Sequence, residues 1–223
     1  MRSEKPILTR GRVAALLVIA ILLIDQLIKI WVKTGMALHD SIRITNWFYI
    51  SFIENNGMAY GMQIGSKLLL SLFRLAAISV LSWYIWQQAR RKARWGYIVC
   101  LAMVLAGAAG NLIDCMFYGL CFDASTPVHV SRFVGFGNGY APFLMGRVVD
   151  MFYFPLIVTT LPDWLPFWGG QEFIFFSPVF NFADASISVG VVALILFFRK
   201  ELSSIGVGSE KQEVKSEECE EIP

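Results

Sequence analysis

The chain has 223 residues, a formal net charge of +2 and a hydrophobic fraction of 56%, with only 16% charged residues. Soluble domains carry roughly 45–50% apolar and about 25% charged residues. This composition excludes an ordinary soluble domain. It directs attention to apolar runs of about 20 residues, the length that a helix needs to cross a bilayer.

Four such runs predict four membrane-spanning helices, so the expected fold class is a membrane all-α protein. They cover about residues 13–32, 67–86, 96–116 and 182–198. Residues 33–66 and 117–181 then form two loops on one side of the membrane. We expect a single membrane-embedded domain over residues 1–200, followed by a disordered, Glu-rich tail over 201–223.

Basic residues predict the orientation of these helices. They cluster before the first run, between the second and third, and after the fourth: Arg2, Lys5, Arg10, Arg12, Arg90, Arg91, Lys92, Arg94, Arg199 and Lys200. Loops rich in Lys and Arg remain in the cytoplasm. Both termini are therefore expected in the cytoplasm and the two long loops outside.

The first outer loop contains a stretch typical of β-structure. Residues 41–56, "SIRITNWFYISFIENN", are rich in β-branched and aromatic residues and end at a turn signal. We predict one or two strands of a small outer sheet here.

Polar residues within or near the spans concentrate at their predicted outer ends, where ionisable side chains are usually functional or paired. Asp25 and Lys29 are four apart, on one helix face, and are expected to pair. The set comprises Asp25, Lys29, Asn111, Asp114, Asp150, Asn181 and Asp184. A structural role remains open for the Asp25–Lys29 pair and for Asp114, which would cap or bind a neighbouring helix.

Several carboxylates at one depth indicate a specific chemistry. Two neighbouring Asp side chains cannot both ionise cheaply, so they share a proton. One then activates water as a base while the other donates a hydrogen bond to the carbonyl under attack, which is aspartyl protease chemistry. The residues suggest no metal or cofactor, because His39 and His129 are isolated. Spacing alone does not identify which two Asp form the pair.

Five sequence blocks, in order, resemble the bacterial lipoprotein signal peptidases, or signal peptidase II. They are "DQLIK" (25–29), "NNGMAYG" with Asn55, Gly57 and Ala59, "GAAGNLID" (107–114), "VVDMF" with Asp150, and "FNFAD" with Asn181, Ala183 and Asp184. The resemblance covers most of residues 13–200. Each block alone is a weak signal, but five in the family's order are a strong one.

The resemblance implies four transmembrane helices with a small periplasmic β-cradle and a short periplasmic helix. It implies cleavage of prolipoproteins before a cysteine that carries diacylglycerol, at the periplasmic face of the bacterial inner membrane. The catalytic pair would be Asp150 and Asp184. Substrate-binding or site-supporting residues would be Asn55, Gly57, Asn111, Asp114 and Asn181, with Asp25 and Lys29. The expected partners are the diacylglyceryl-modified prolipoprotein and membrane lipid, with no cofactor, metal or nucleic acid, and the protein would be a monomer.

Two features depart from the family pattern. The family usually has Arg directly after the Asp of the "GNLID" block, where this chain has Cys115; Arg132 or Arg147 is a candidate replacement. The segment at about 122–143 looks like an inserted loop, which is either a lid over the substrate or a surface loop without a role in binding. A disulfide between Cys115 and Cys121 is left open.

Two other classes of function compete with the peptidase. A small transporter or proton-coupled channel would use an Asp/Lys relay, but a relay needs polar residues in both halves of the spans. The inner halves of the first, third and fourth spans are apolar. A docking or assembly factor would give no reason for two Asp among apolar neighbours.

Overall fold

The computed structural model describes residues 9–56, 67–164 and 166–203. Its elements are α1 (Arg10–Gly35), β1 (Ser41–Arg43), β2 (Tyr49–Asn55), α2 (Lys67–Arg90), α3 (Trp95–Ile113), α4 (Gly119–Cys121), β3 (Val148–Tyr153), β4 (Ile157–Thr160), β5 (Glu172–Phe175), β6 (Val179–Phe180) and α5 (Phe182–Phe197). The four predicted helices are all present. A π-helical turn, Asp114–Tyr118, joins α3 to the three-residue α4.

The apolar helices identify a membrane-embedded protein. Helices α1 and α2, and the continuous helical stretch Trp95–Cys121, are long and apolar enough to cross a bilayer. Helix α5 is equally apolar but has 16 residues. Large apolar side chains on the outside of the bundle, such as Leu27, Phe73 and Leu196, are more than 60% exposed. In water such a surface would be unfavourable, whereas in lipid it is the ordinary exterior.

A four-stranded antiparallel sheet lies at one end of the bundle. Its order is β1-β2-β3-β6, and a register shift interrupts the β2–β3 pairing between Ile50 and Ile53. The strands predicted within residues 41–56 are therefore confirmed. Beneath the sheet, Val32 from α1 packs with Phe52, Val149 and Met151, all of which are fully buried. This second core fastens the sheet to α1.

The segment at about 122–143, which the sequence predicts to be an inserted loop, packs against the sheet. Leu38 N donates to Thr126 O at 3.1 Å, and Ser125 Oγ donates to Glu54 at 2.8 Å. The backbone of Gly139 lies so close to that of Gly119 that a side chain on Gly139 would collide with the Gly119 carbonyl oxygen. The segment is therefore a packed part of the fold.

Two sequence predictions fall wholly or mostly outside the described residues. Gly57, with the rest of its "NNGMAYG" block after Asn56, is one of them. The other is the tail, of which only 201–203 are described, and these are helical.

Glycines bring α3 and α5 into close contact. A Cβ on Gly107 would overlap the backbone oxygen of Ala183 and lie 2.6 Å from Ile187 Cγ1. A Cβ on Gly190 would lie 2.9 Å from the Cys100 oxygen. Small residues allow membrane helices to approach closely, so these positions set the α3–α5 separation.

We therefore expect Gly107→Ala to push α5 away from α3. The overpacking should cost about 1–3 kcal/mol, which lowers the unfolding temperature of the detergent-purified protein by several degrees. Gly35→Ala is the matched control, because a Cβ at the end of α1 meets no heavy atom within 4 Å. Equal unfolding temperatures for the two variants would contradict this account of the helix contact.

Candidate active site

A buried lysine organises the polar residues at the ends of the helices that meet the sheet. Lys29 Nζ lies 2.9 Å from Asp25 Oδ2 and 2.9 Å from Asp114 Oδ2, and it donates to Asn111 Oδ1 at 2.9 Å. An ammonium has three donor hydrogens, so these contacts use all of them. Lys29, Asp25 and Asp114 are completely buried. The predicted Asp25–Lys29 pair is thus confirmed, and it extends to α3.

Helical spacing explains how the partners meet. Asp25 and Lys29 occupy successive turns of α1, and Asn111 and Asp114 are three apart at the end of α3. Pairs at these spacings share a helix face. Gly110 makes the contact possible, since a Cβ there would lie 2.7 Å from Asp25 Oδ2.

The two carboxylates bound to Lys29 also hold two backbone amides. Asp25 Oδ1 accepts a hydrogen bond from Ala183 N at 2.9 Å, and Asp114 Oδ2 accepts one from Val149 N at 3.2 Å. Ala183 directly precedes Asp184, and Val149 directly precedes Asp150. The network therefore fixes the backbone beside each member of the predicted pair.

Asp184 lies in the first turn of α5 and is partly exposed. Asn181 is the N-cap, and the two residues form a capping box in which Asp184 N donates to Asn181 Oδ1 at 2.9 Å. Asn111 Nδ2 donates to Asp184 Oδ1 at 2.7 Å. The positive end of the helix dipole lies at this position. The Asn111 amide and the start of the helix thus both present partial positive charge to the carboxyl group of Asp184.

Asp150 lies on the central strand β3 and is 3% exposed. Its oxygens accept hydrogen bonds from Asn181 Nδ2 at 2.7 Å and Asn55 Nδ2 at 3.2 Å. Burial, and secondarily the nearby charge of Asp184, raises the pKa of Asp150 from 3.8 to about 7. Asp150 therefore has an environment that favours the protonated form.

Asn181 connects the two aspartates. Its Nδ2 donates to Asp150 Oδ1 and also to Asn111 Oδ1 at 3.0 Å, while its Oδ1 accepts from Asp184 N. All predicted site residues within the described part of the chain thus belong to one hydrogen-bonded cluster: Asp25, Lys29, Asn55, Asn111, Asp114, Asp150, Asn181 and Asp184. Gly57 lies outside the described residues.

The sequence analysis missed Gln26, which completes the cluster. Its Nε2 lies 3.1 Å from Asp25 Oδ2, 3.2 Å from Gly110 O and 3.0 Å from Asp114 Oδ1, and its Oε1 accepts from Tyr118 Oη at 3.1 Å. The signal was present, because Gln26 stands inside the quoted "DQLIK" block.

A second buried ion pair supports the strand that carries Asn55. Glu54 contacts Lys33 Nζ at 2.5 Å and Arg147 at 3.0 Å. Burial opposes ionisation of Glu54, but Lys33 together with hydrogen bonds from Ser125 and Arg147 holds its pKa below the usual range. Nothing in the spacing of Lys33 and Glu54 indicated this contact.

Arg74 is the cation that contacts Cys115. Its guanidinium, on α2, donates to Cys115 Sγ at 3.3 Å. The candidates suggested by sequence lie elsewhere: Arg147 pairs with Glu54, and the backbone of Arg132 binds Asp123. Cys115 and Cys121 are both free thiols.

The described residues also form a groove, which lies away from this cluster. A groove of about 570 Å³ with mostly apolar walls lies between α1 and α2, near Arg10 and Trp86. Arg10 is fifteen residues, roughly 22 Å along the helix, from Asp25. Within the described ranges no group of three or more His, Cys, Asp or Glu is arranged to hold a metal ion.

The pH dependence of stability should report the environment of Asp150. Because its pKa is raised in the folded protein, folding binds a proton, and that contribution is lost as the pH rises from about 4 to about 7. Relative to Asp150→Asn, which removes the titration, the wild type should lose up to about 4 kcal/mol over this range. Unfolding temperatures of both proteins in detergent at pH 4, 5.5 and 7 measure this. A pH-independent difference would contradict a buried, protonated Asp150.

Known proteins resemble the chain over most of its length. The sequence model of the family described as Signal peptidase (SPase) II matches residues 17–200. A lipoprotein signal peptidase of Porphyromonas gingivalis is 46% identical over 197 residues, which is 88% of this chain and 87% of that protein. One from Amoebophilus asiaticus is 36% identical over 78% of this chain and 72% of its own length.

Solved structures agree at the level of the fold. Two structures described as bacterial membrane enzymes superpose with a TM-score of 0.54 each, at 22% and 20% identity. They cover 82% and 86% of this chain and 90% of their own chains. The family match and the two relatives above 30% identity lead to one conclusion: this chain belongs to the signal peptidase II family.

Proposed function

We propose that Asp150 and Asp184 are the catalytic dyad with which this chain removes the signal peptide from prolipoproteins. Membership of the signal peptidase II family makes the chain an aspartic-type signal peptidase. One observation supports the choice of residues above all others. The carboxyl groups of Asp150 and Asp184 have unlike environments, and the side chain of Asn181 donates to Asp150 Oδ1 while it accepts from the backbone N–H of Asp184.

The unlike environments suggest a division of roles. Asp184, ionised at the start of α5, accepts a proton from water, and the resulting oxygen nucleophile attacks the scissile carbonyl carbon. Asp150 gives its proton to the carbonyl oxygen, which produces a neutral tetrahedral diol. The diol then returns one proton to Asp150, and Asp184 protonates the leaving nitrogen as the C–N bond breaks. Both carboxyl groups end as they began.

Asn55, Asn111 and Asn181 hold the dyad in position, and Asp25, Lys29 and Asp114 hold the backbone around it. Gly57 is proposed to approach the substrate by analogy with the family's block. The hydrogen bonds and ion pairs of the other residues support these roles, whereas the role of Gly57 is supported by the resemblance alone.

We propose four membrane spans, with α5 as the fourth. At 1.5 Å per residue its 16 residues cover about 24 Å, short of the roughly 30 Å hydrocarbon core. Residues 199–203 form a separate helical turn after a break at Phe198, and Val189, Val192 and Leu196 expose an apolar face. The four-stranded sheet is then the periplasmic cradle. Residues 1–200 form one peptidase domain, both termini lie in the cytoplasm, and the enzyme acts as a monomer in the bacterial inner membrane.

The proposed substrate carries diacylglycerol on the cysteine that follows the scissile bond. Its acyl chains would remain in the bilayer, so the bond would reach the enzyme at the membrane surface. The polar cluster lies where α1, α3 and α5 meet the sheet, which is the depth that such a substrate requires.

The distribution of polar groups favours a peptidase over an ion relay. In the described part of the chain, the buried charged residues are Asp25, Lys29, Lys33, Asp114 and Asp150, all at the sheet end of the bundle. At the other end, α1, α2, α3 and α5 share an apolar core that includes the paired hydroxyl groups of Tyr84 and Tyr97, and no charged residue of the described ranges is buried there. A relay would need polar groups in both halves.

Substituting either dyad residue should abolish cleavage. We expect Asp150→Asn and Asp184→Asn each to reduce kcat on a diacylated prolipoprotein by at least about 10²–10⁴-fold, since each removes a proton-transfer group. Asp163→Asn, an exposed Asp outside the cluster, is the matched control and should be fully active. The assay uses purified enzyme in lipid, with unfolding temperatures to verify folding. Near-normal activity of either dyad variant would disprove the assignment.

The activity should depend on pH as a bell-shaped profile. In strong acid both carboxyl groups are protonated and no base remains. Above about pH 7 Asp150 loses the proton that it gives to the carbonyl oxygen. Initial rates of cleavage from pH 3 to pH 10 measure both limbs. A profile without a decline on the alkaline side would show that no shared proton is required.

A further inference from the structure

A hairpin of unusual exposure interrupts the chain between the two aspartates. Strands β4 and β5 pair from Ile157 with Phe175 to Thr160 with Glu172 and form a sheet of their own. Ile157 and Val158 point to opposite faces, as neighbours on a strand do, yet each is 55% exposed. Neither face of this hairpin is covered by the rest of the described protein.

The exposed surface is apolar and continues to the tip. Trp164 is 78%, Phe167 91% and Trp168 58% exposed. An isolated two-stranded hairpin is marginally stable in water, and a contiguous apolar patch of this kind marks an interaction site. Water is therefore an unfavourable environment for this segment.

The charged residues of the segment limit the kinds of partner that it can bind. Residues 155–176 contain Asp163 and Glu172 and no Lys or Arg. Ionic attraction to anionic headgroups or to an acidic protein is thus unavailable, and any association must come from apolar burial. Trp and other aromatic side chains are typical of the zone where hydrocarbon meets headgroups.

The hairpin also adjoins the membrane-embedded surface. Only β6 separates its last strand from α5, whose outer face is apolar. Its base is tied to the sheet by ring contacts, with Phe176 6.1 Å from Phe180 and Phe180 stacked on Phe154 at 5.7 Å. A bilayer that surrounds the start of α5 is therefore within reach of the segment.

We propose that the hairpin formed by residues 156–164 and 166–176 inserts its apolar tip into the lipid–water interface of the outer leaflet. It is then a second attachment to the membrane, on the chain between Asp150 and Asn181. Strand β3 precedes the hairpin in the chain and β6 follows it. Contact of the hairpin with lipid would therefore fix the depth of both strands relative to the membrane. The proposal rests on the membrane placement given above and not on the identity of the dyad.

The test places an environment-sensitive fluorophore on the tip. The full chain, with its four cysteines replaced by alanine, receives a single cysteine by Phe167→Cys and is labelled with NBD. It is reconstituted in nanodiscs of phosphatidylethanolamine and phosphatidylglycerol (3:1) that carry doxyl groups at carbon 5 or carbon 16 of the acyl chain. Trp164→Cys provides a second site. Val128→Cys, at a side chain 95% exposed in the same loop but outside the hairpin, is the matched control.

We expect a blue-shifted emission at position 167 and at least twofold stronger quenching by the carbon-5 than by the carbon-16 doxyl lipid, with little quenching at 128. Unshifted, unquenched emission at both 167 and 164 would overturn the proposal, because the tip would then lie in water. Blue-shifted emission that neither lipid quenches would also overturn it, since protein, such as a second copy of the chain, would then cover the tip.

A label at Leu196, on the apolar face of α5, separates this inference from the membrane placement on which it depends. Quenching at 196 without quenching at either 167 or 164 would refute the hairpin proposal alone. Absence of quenching at 196 would refute the placement of α5 in the bilayer, and the hairpin proposal with it.

Discussion

The contacts of Lys29 are the constraint on which the rest of the site depends. A single buried ammonium binds Asp25, Asp114 and Asn111. Removing one partner from such a group leaves an uncompensated charge, which costs about 3–5 kcal/mol. Because Asp25 and Asp114 in turn hold the amides of Ala183 and Val149, the same cation positions the start of α5 and the start of β3. Two elements far apart in sequence are thereby held in one geometry.

Packing makes this arrangement possible. Gly107 and Gly110 lack the Cβ atoms that would strike Ala183 and Asp25, so α5 approaches α3 closely enough for Asn111 to contact Asp184. On the other side, Val149 and Met151 fill the core beneath the sheet while Asp150, between them, points to the opposite face. Alternation along one strand therefore presents the carboxyl group to the helices and anchors its neighbours in the core.

Sequence reasoning identified the parts of this site that follow from short-range geometry. The four apolar helices and the Asp25–Lys29 pair result from composition and helical spacing, and they were predictable. The contact between Arg74 and Cys115 was not, because it joins two helices whose relative rotation depends on packing. The contacts of Glu54 with Lys33 and Arg147 were not predictable either, because they join a strand to a helix and a loop whose relative positions depend on packing. The resemblance to the signal peptidases, rather than spacing, named Asp150 and Asp184 as partners.

The residues that contact Asp150 and Asp184 explain why the nearby positive charge of Lys29 is compatible with a proton shared between the two aspartates. Within the described ranges, the side-chain donors that reach Asp150 and Asp184 are the neutral amides of Asn55, Asn111 and Asn181. Had Lys29 contacted either carboxylate directly, its charge would favour ionisation of both and oppose retention of the proton on Asp150. Instead Asn111 accepts from Lys29 and donates to Asp184. The amides satisfy buried oxygens without adding positive charge, so the lysine holds the site in place while the aspartates remain free to exchange a proton.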